Sequence, residues 1–200
     1  MGLLTQRRAR RALRSSARLA TAVVMVIVAI VAVPSLALAQ SDQGTLKPLD
    51  VIYVPTPDHV VAKMLTMARV GPGDVVIDLG SGDGRIPIAA VKDFGAARGI
   101  GYELDPVRNL EAAENAARAG VTGQVQFVAE DLFEADLSSA TVITTYLLPA
   151  LNERLVPTLR KLKPGTRIVT HNYDLTADWK PLEKVVIDNH VIYSFVVPRK

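Results

Sequence analysis

The sequence contains no cysteine, which excludes a disulfide scaffold, a thiolate zinc centre and a cysteine nucleophile together. It also lacks a basic stripe. Of its 23 lysines and arginines, six (Arg7, Arg8, Arg10, Arg11, Arg14 and Arg18) precede the first acidic residue, Asp42, leaving 17 basic against 20 acidic residues in the remainder. A mildly acidic body without clustered Lys/Arg lacks the electrostatic footprint of a nucleic-acid binder, so no nucleic-acid partner is expected. No internal repeat or low-complexity segment follows residue 40. His59 and His190 have no carboxylate or histidine at ligand spacing, so no metal site is expected. The remaining length is about one domain, enough to bury a substantial core.

One stretch lacks charge altogether: LATAVVMVIVAIVAVPSLALA, Leu19 to Ala39. The arginines before it, the helix-breaking Pro34 and the small residues of Ala37-Leu38-Ala39 give the layout of a secretory signal cleaved after Ala39. The same 21 residues are long enough to span a bilayer if they are retained. Both readings stay open, whereas a buried core helix rarely follows six arginines. Paired Arg7 and Arg8 resemble a twin-arginine signal, but TQRRARRAL lacks the apolar residues that should follow directly. The positive-inside rule keeps the arginines cytoplasmic and sends the rest of the chain to the opposite face. Residues 1–39 are therefore read as signal peptide or membrane anchor, 40–50 as linker and 51–200 as one domain, membrane-associated or exported.

Within the domain, Asp58 caps a helix with apolar residues at 60, 61, 64, 65 and 68. Strands and helices then alternate. Strands are predicted over 74–79, 98–103, 124–129, 140–146 and 166–171, and helices over 85–94, 106–119 and 150–162. Near-continuous apolar strands imply an α/β fold, a mostly parallel, Rossmann-like sheet covered by helices on both faces. Two β-rich runs around Asp188-Asn189-His190 predict a C-terminal antiparallel hairpin at the sheet edge.

The stretch VIDLGSGDGRIPIAA, Val76 to Ala90, places glycines at 80, 82 and 84 between a strand and a helix. Removing Cβ atoms there lets the backbone approach a ligand and permits positive φ. A dinucleotide fingerprint would need a small residue where Arg85 stands, and a P-loop would need a following Gly-Lys-Ser/Thr. Arg85 itself is assigned no role. Asp78 and Asp83 add carboxylates that suit a cationic group. Glu103 ends the second strand about 20 residues on, where a carboxylate accepts both hydroxyls of a ribose. Asp131, at the tip of the third, can accept an adenine amine. Together they describe S-adenosyl-L-methionine. Plainer roles stay open: Asp78, Glu103 with Asp105, and Asp131 as caps of turns or helices, Tyr146 as core, and His171 as a satisfied strand-end histidine.

DVVIDLGSGDGRIPIAA, GIGYELDP and VQFVAEDLF resemble the successive cofactor motifs of class I, seven-stranded methyltransferases. YVPTPDHVVAKML before the glycine loop and TTYLLPALNERLVPTLRKLKPGTRIVTHNYDLTADW after it resemble a small family of membrane-anchored protein-lysine methyltransferases. The resemblance implies that Asp78, Gly80, Ser81, Gly82 and Gly84 shape the methionine end of the site, with Asp83 near its amino group. It implies Glu103 at the ribose, Asp131 and Leu132 at the adenine, and Tyr53, Pro55 and Thr56 covering the cofactor. Tyr146, Leu147, Leu148 and Pro149 would line the opening to the acceptor. They depart from the Asn/Asp-Pro-Pro-aromatic motif, which disfavours an amide or nucleobase acceptor. Tyr146 and His171 are the candidate catalytic groups, with Tyr173 beside the substrate. The expected acceptor is a protein lysine, with a small amine or lipid-like molecule as alternative. A non-catalytic nucleoside-binding module at the membrane is the competing class. Because this cofactor is made in the cytosol, an inward-facing domain remains the alternative orientation.

Overall fold

The computed structural model describes residues 53–199. The expected leader and linker lie outside the described residues. Among the described residues seven strands and four helices follow one another: α1 (Asp58–Met67), β1 (Val75–Leu79), α2 (Arg85–Lys92), β2 (Arg98–Tyr102), α3 (Pro106–Ala119), β3 (Val125–Val128), β4 (Val142–Thr145), α4 (Pro149–Leu159), β5 (Arg167–His171), β6 (Glu183–Ile187) and β7 (His190–Val196). They form one sheet in the order β3-β2-β1-β4-β5-β7-β6. Strands β1 to β5 are parallel, while β7 runs antiparallel to β5 and to β6. This is the expected Rossmann-like sheet with its C-terminal hairpin.

The helices form where the apolar spacing demands burial. Val60, Val61, Met64 and Leu65 of α1 are all buried. They join Ile86, Ala90 and Val91 of α2 and Ala116 of α3 in a core on one sheet face. Leu155, Val156 and Leu159 of α4 pack on the other face with Leu137, Leu175 and Trp179. Asp105 caps α3, its side chain accepting from the Val107 N–H, and Gly120 ends that helix in a left-handed conformation. The predicted elements run one to three residues long at several ends, because fraying and turns claim the last residues of short strands and of α4.

Strand order places the site. Strand β1 has β2 on one side and β4 on the other, so the chain turns opposite ways out of the sheet at their C-terminal ends. A crevice opens at such a switch point. No helix among the described residues is long and apolar enough to cross a membrane.

Candidate active site

A cleft lies at that switch point, where open α/β sheets bind their ligands. Its wall draws Asp78, Gly80, Ser81 and Asp83 from the end of β1, Glu103 from β2, Asp131 and Leu132 from beyond β3, and Tyr146 and Leu147 from beyond β4. Tyr53, Pro55 and Thr56 come across from the segment before α1. The topology thus gathers twelve of the residues singled out in the sequence, although they are spread over 95 positions.

The glycine loop docks on the end of β2: the Gly80 and Ser81 N–H groups both donate to the Tyr102 carbonyl, at 2.9 and 3.0 Å. Gly82, at φ 52°, lies under the Tyr53 ring, and a Cβ there would stand 2.2 Å from Tyr53 Cε2. Gly84 serves packing instead. Its Cβ would stand 2.4 Å from the Phe127 ring, so it lets α2 close onto β3 and does not line the cleft.

Carboxylates dominate the electrostatics. Asp78 is 2% exposed and accepts from Thr144 Oγ1 at 2.6 Å. Burial pushes its pKa up to about 7 against that hydrogen bond, helped by the charges of Glu103 and Asp83. In the same cleft wall the buried Ser81 hydroxyl has no hydrogen-bond partner among the described residues. An orphaned donor sharing a wall with a carboxyl wanting positive charge fits the zwitterionic end of an amino acid. Glu103 accepts from the Gly82 N–H through one oxygen and from the Asp105 N–H through the other, both at 2.9 Å. A carboxylate has about four acceptor sites, so the buttress of the loop leaves capacity for a ribose diol. Asp131 accepts from the Phe133 N–H at 3.1 Å while lining the cleft, so a turn cap and a place in the cleft wall coexist there.

Two arginines escaped the sequence reading. Arg85 grips Asp83 with two nitrogens, Nε at 2.9 Å and Nη2 at 2.6 Å, and donates from Nη1 to the Thr56 carbonyl at 2.8 Å. It ties the covering segment to the glycine loop. Burial raises the Asp83 carboxyl, but the Arg85 hydrogen bonds and charge outweigh it and hold Asp83 below the usual carboxylate range. Asp83 is therefore already charge-matched, whereas Asp78 has no cationic side chain against it among the described residues. Arg108 lies 4.3 Å from the centroid of the Tyr53 ring. The local signals were the position of Arg85, two residues after Asp83, and the helical offset of Arg108 from Asp105.

The acceptor side is narrower than expected. Tyr146 and Leu147 line the cleft, whereas Leu148 faces solvent, Pro149 starts α4, and Leu151 one turn on takes their place. Tyr173 stays out of the cleft; its carbonyl accepts from Thr170 Oγ1 at 2.5 Å. His171, expected to touch the acceptor, is fully buried one layer behind, its ring 4.0 Å from that of Tyr146. Burial, then the charge of His190, pushes its pKa down to about 4, so it is neutral at physiological pH.

The comparisons with known proteins agree with this geometry. The sequence profile of the ANTKMT methyltransferase domain matches residues 78–183. A protein-lysine N-methyltransferase of Saccharolobus islandicus is 45% identical over 152 residues, which cover 74% of this chain and 94% of that protein. The adenine nucleotide translocase lysine N-methyltransferase of Mus musculus is 35% identical over 138 residues, 68% of this chain and 59% of that longer protein. Among solved structures, an RNA methyltransferase from Salinibacter ruber in complex with S-adenosyl-L-homocysteine superposes with a TM-score of 0.71 at 47% identity, over 74% of this chain and 95% of the other. The chain therefore belongs to the ANTKMT methyltransferase family and is an S-adenosylmethionine-dependent methyltransferase.

Proposed function

We propose that the protein methylates the ε-amine of lysine in a protein acceptor. The observation that carries this reading is the 45% identity, over nearly its whole length, to a protein named for lysine N-methylation. The cleft supports it. Beyond β4, Tyr146, Leu147 and Leu151 give the cleft an apolar wall with one hydroxyl, suited to a long methylene stem and lacking the paired polar groups that hold a planar amide or base. In this reading Asp78, Gly80 and Ser81 hold the amino-acid arm of the cofactor, Glu103 the ribose, and Asp131 with Leu132 the adenine. Tyr53, Pro55 and Thr56 cover it. Its sulfonium supplies an electrophilic methyl group, so what the protein adds is alignment and a deprotonated amine.

RNA is the second reading, favoured by the description of the Salinibacter ruber neighbour. Charge argues against it here. Six acidic side chains line the cleft, and its two arginines are engaged by Asp83, by Glu111 and by the Tyr53 ring. We further propose that residues 1–39 direct the domain to a membrane, retained as an anchor or removed as a signal. Competition tests the acceptor: with equal masses of protein and RNA offered together with labelled cofactor, methyl-lysine in the hydrolysate supports this reading, and methylated nucleosides alone overturn it.

A further inference from the structure

We infer that Thr56, His171 and His190 form a proton outlet leading from the transfer cleft to the surface beside the β6–β7 turn. The inference rests on the amine reading above. A lysine reaches the cleft as an ammonium at neutral pH, and its nitrogen has no lone pair for the methyl group until one proton leaves. A cleft filled by cofactor and acceptor therefore needs a way out for that proton.

The path is continuous in hydrogen bonds. Thr56 lines the cleft and is 3% exposed. Its Oγ1 lies 3.0 Å from His171 Nδ1, and His171 Nε2 lies 2.8 Å from His190 Nδ1. His171 is wholly buried at the end of β5, whereas His190, on the adjacent antiparallel strand β7, is half-buried. The titratable groups around the outer end are His59 of α1, its ring 6.4 Å from that of His190, and Asp188 of the turn, which accepts from His59 Nε2 at 2.9 Å. The chain's three histidines thus gather at one place from three elements. A buried imidazole with a partner on each nitrogen carries a proton without holding a charge, and the low pKa of His171 accords with that.

Tyr146, the other candidate in the cleft wall, has its phenol oxygen engaged by Asn172. Asn172, at φ 63°, gives its N–H to the Val191 carbonyl at 2.6 Å and accepts the Val191 N–H through Oδ1 at 3.0 Å. A backbone N–H can only donate, so the amide oxygen must face Val191 and Nδ2 must face Tyr146, where it donates to the phenol oxygen at 3.1 Å. One of the two acceptor positions of the Tyr146 oxygen is thus taken.

The step balances as follows. An N–H bond of the ammonium breaks, its electron pair staying on nitrogen, and the proton goes to Thr56 Oγ1. The Thr56 hydroxyl proton goes to His171 Nδ1, the His171 Nε2 proton to His190 Nδ1, and the His190 Nε2 proton to water. Each relay residue ends neutral, with both imidazoles in the opposite tautomer. Once product leaves, the reverse shift into water entering the cleft restores the start.

The full chain tests this with His190→Ala and Thr56→Val. At neutral pH each lowers kcat on the order of tenfold to a hundredfold, while the cofactor KM of His190→Ala is unchanged. The loss shrinks as pH rises past about 10.4, where more than half of the lysine arrives neutral. Added imidazole restores His190→Ala. A kcat deficit that is independent of pH and not restored, or no deficit, overturns the outlet. Nitrogen NMR of the histidine rings, without cofactor or acceptor, reads the contacts directly. Thr56→Val should shift His171 Nδ1 and His190→Ala should shift Nε2; unmoved signals overturn the outlet. A wild-type chain that methylates no amine would instead overturn the acceptor reading, so the two failures are distinct.

Discussion

The Tyr53 ring lies against Gly82 so closely that no side chain fits between them: a Cβ on residue 82 would stand 2.2 Å from one ring carbon and 2.7 Å from the next. The glycine loop and the segment that covers it are thus two halves of one surface. Gly82→Ala must displace Tyr53 and also places an L side chain at φ 52°, a strain of about 1 kcal/mol. We expect a folded protein with a cooperative melt whose cofactor affinity falls about tenfold or more. Calorimetric titration with S-adenosyl-L-homocysteine checks it; wild-type affinity would show that the Tyr53 contact does not bear on the ligand.

Glu103 has two duties, and one substitution separates them. Gln at this position keeps an oxygen for one of the two backbone N–H groups that Glu103 now satisfies, but removes the charge that strengthens bonds to a ribose diol. Glu103→Gln should weaken cofactor binding by about 1–3 kcal/mol while changing the melting temperature little. A large loss of stability with unchanged affinity would make Glu103 a loop buttress only.

Asp78 makes the unloaded protein sensitive to pH. Its folded pKa, about 7, lies above the ordinary 3.8, so the protonated carboxyl is favoured in the folded state. That stabilisation is fully present below about pH 4 and is lost as pH rises through 7, a swing of about 4 kcal/mol by linkage. His171 works the other way, its depressed pKa removing stability as pH falls from 6.5 toward 4. The difference between wild type and Asp78→Asn therefore isolates Asp78: the wild type should gain stability relative to the variant between pH 8 and pH 5. Cofactor affinity should move oppositely, strengthening as pH rises through 7, because a cationic arm favours the ionised carboxylate. Thermal melts and titrations at pH 5, 6, 7 and 8 read both, and a flat difference would place Asp78 in ordinary solvent contact.

The site was legible in the sequence to the extent that its chemistry is local. A strand, a glycine loop and a helix announce themselves by period and punctuation, and Glu103 and Asp131 stand at the ends of the next two strands because parallel crossovers repeat at regular length. What escaped was contact made through space. Arg85 reads as an ordinary first helical residue until Thr56 is brought across to it from 29 positions away. His171 and His190 meet only because β7 returns antiparallel beside β5. Gly84 looked like part of the ligand cradle, yet the neighbour that requires it is Phe127 of β3, which no local pattern names.

The account's central claim is methyl transfer from S-adenosylmethionine to protein lysine at this cleft. The most direct measurement incubates the full chain, and its Glu103→Ala variant, with methyl-labelled cofactor and a lysate containing membranes, then maps label by peptide mass spectrometry. The account predicts label on lysine ε-nitrogens with the wild type and a marked loss with the variant. Label confined to RNA, or to another side chain, would contradict it.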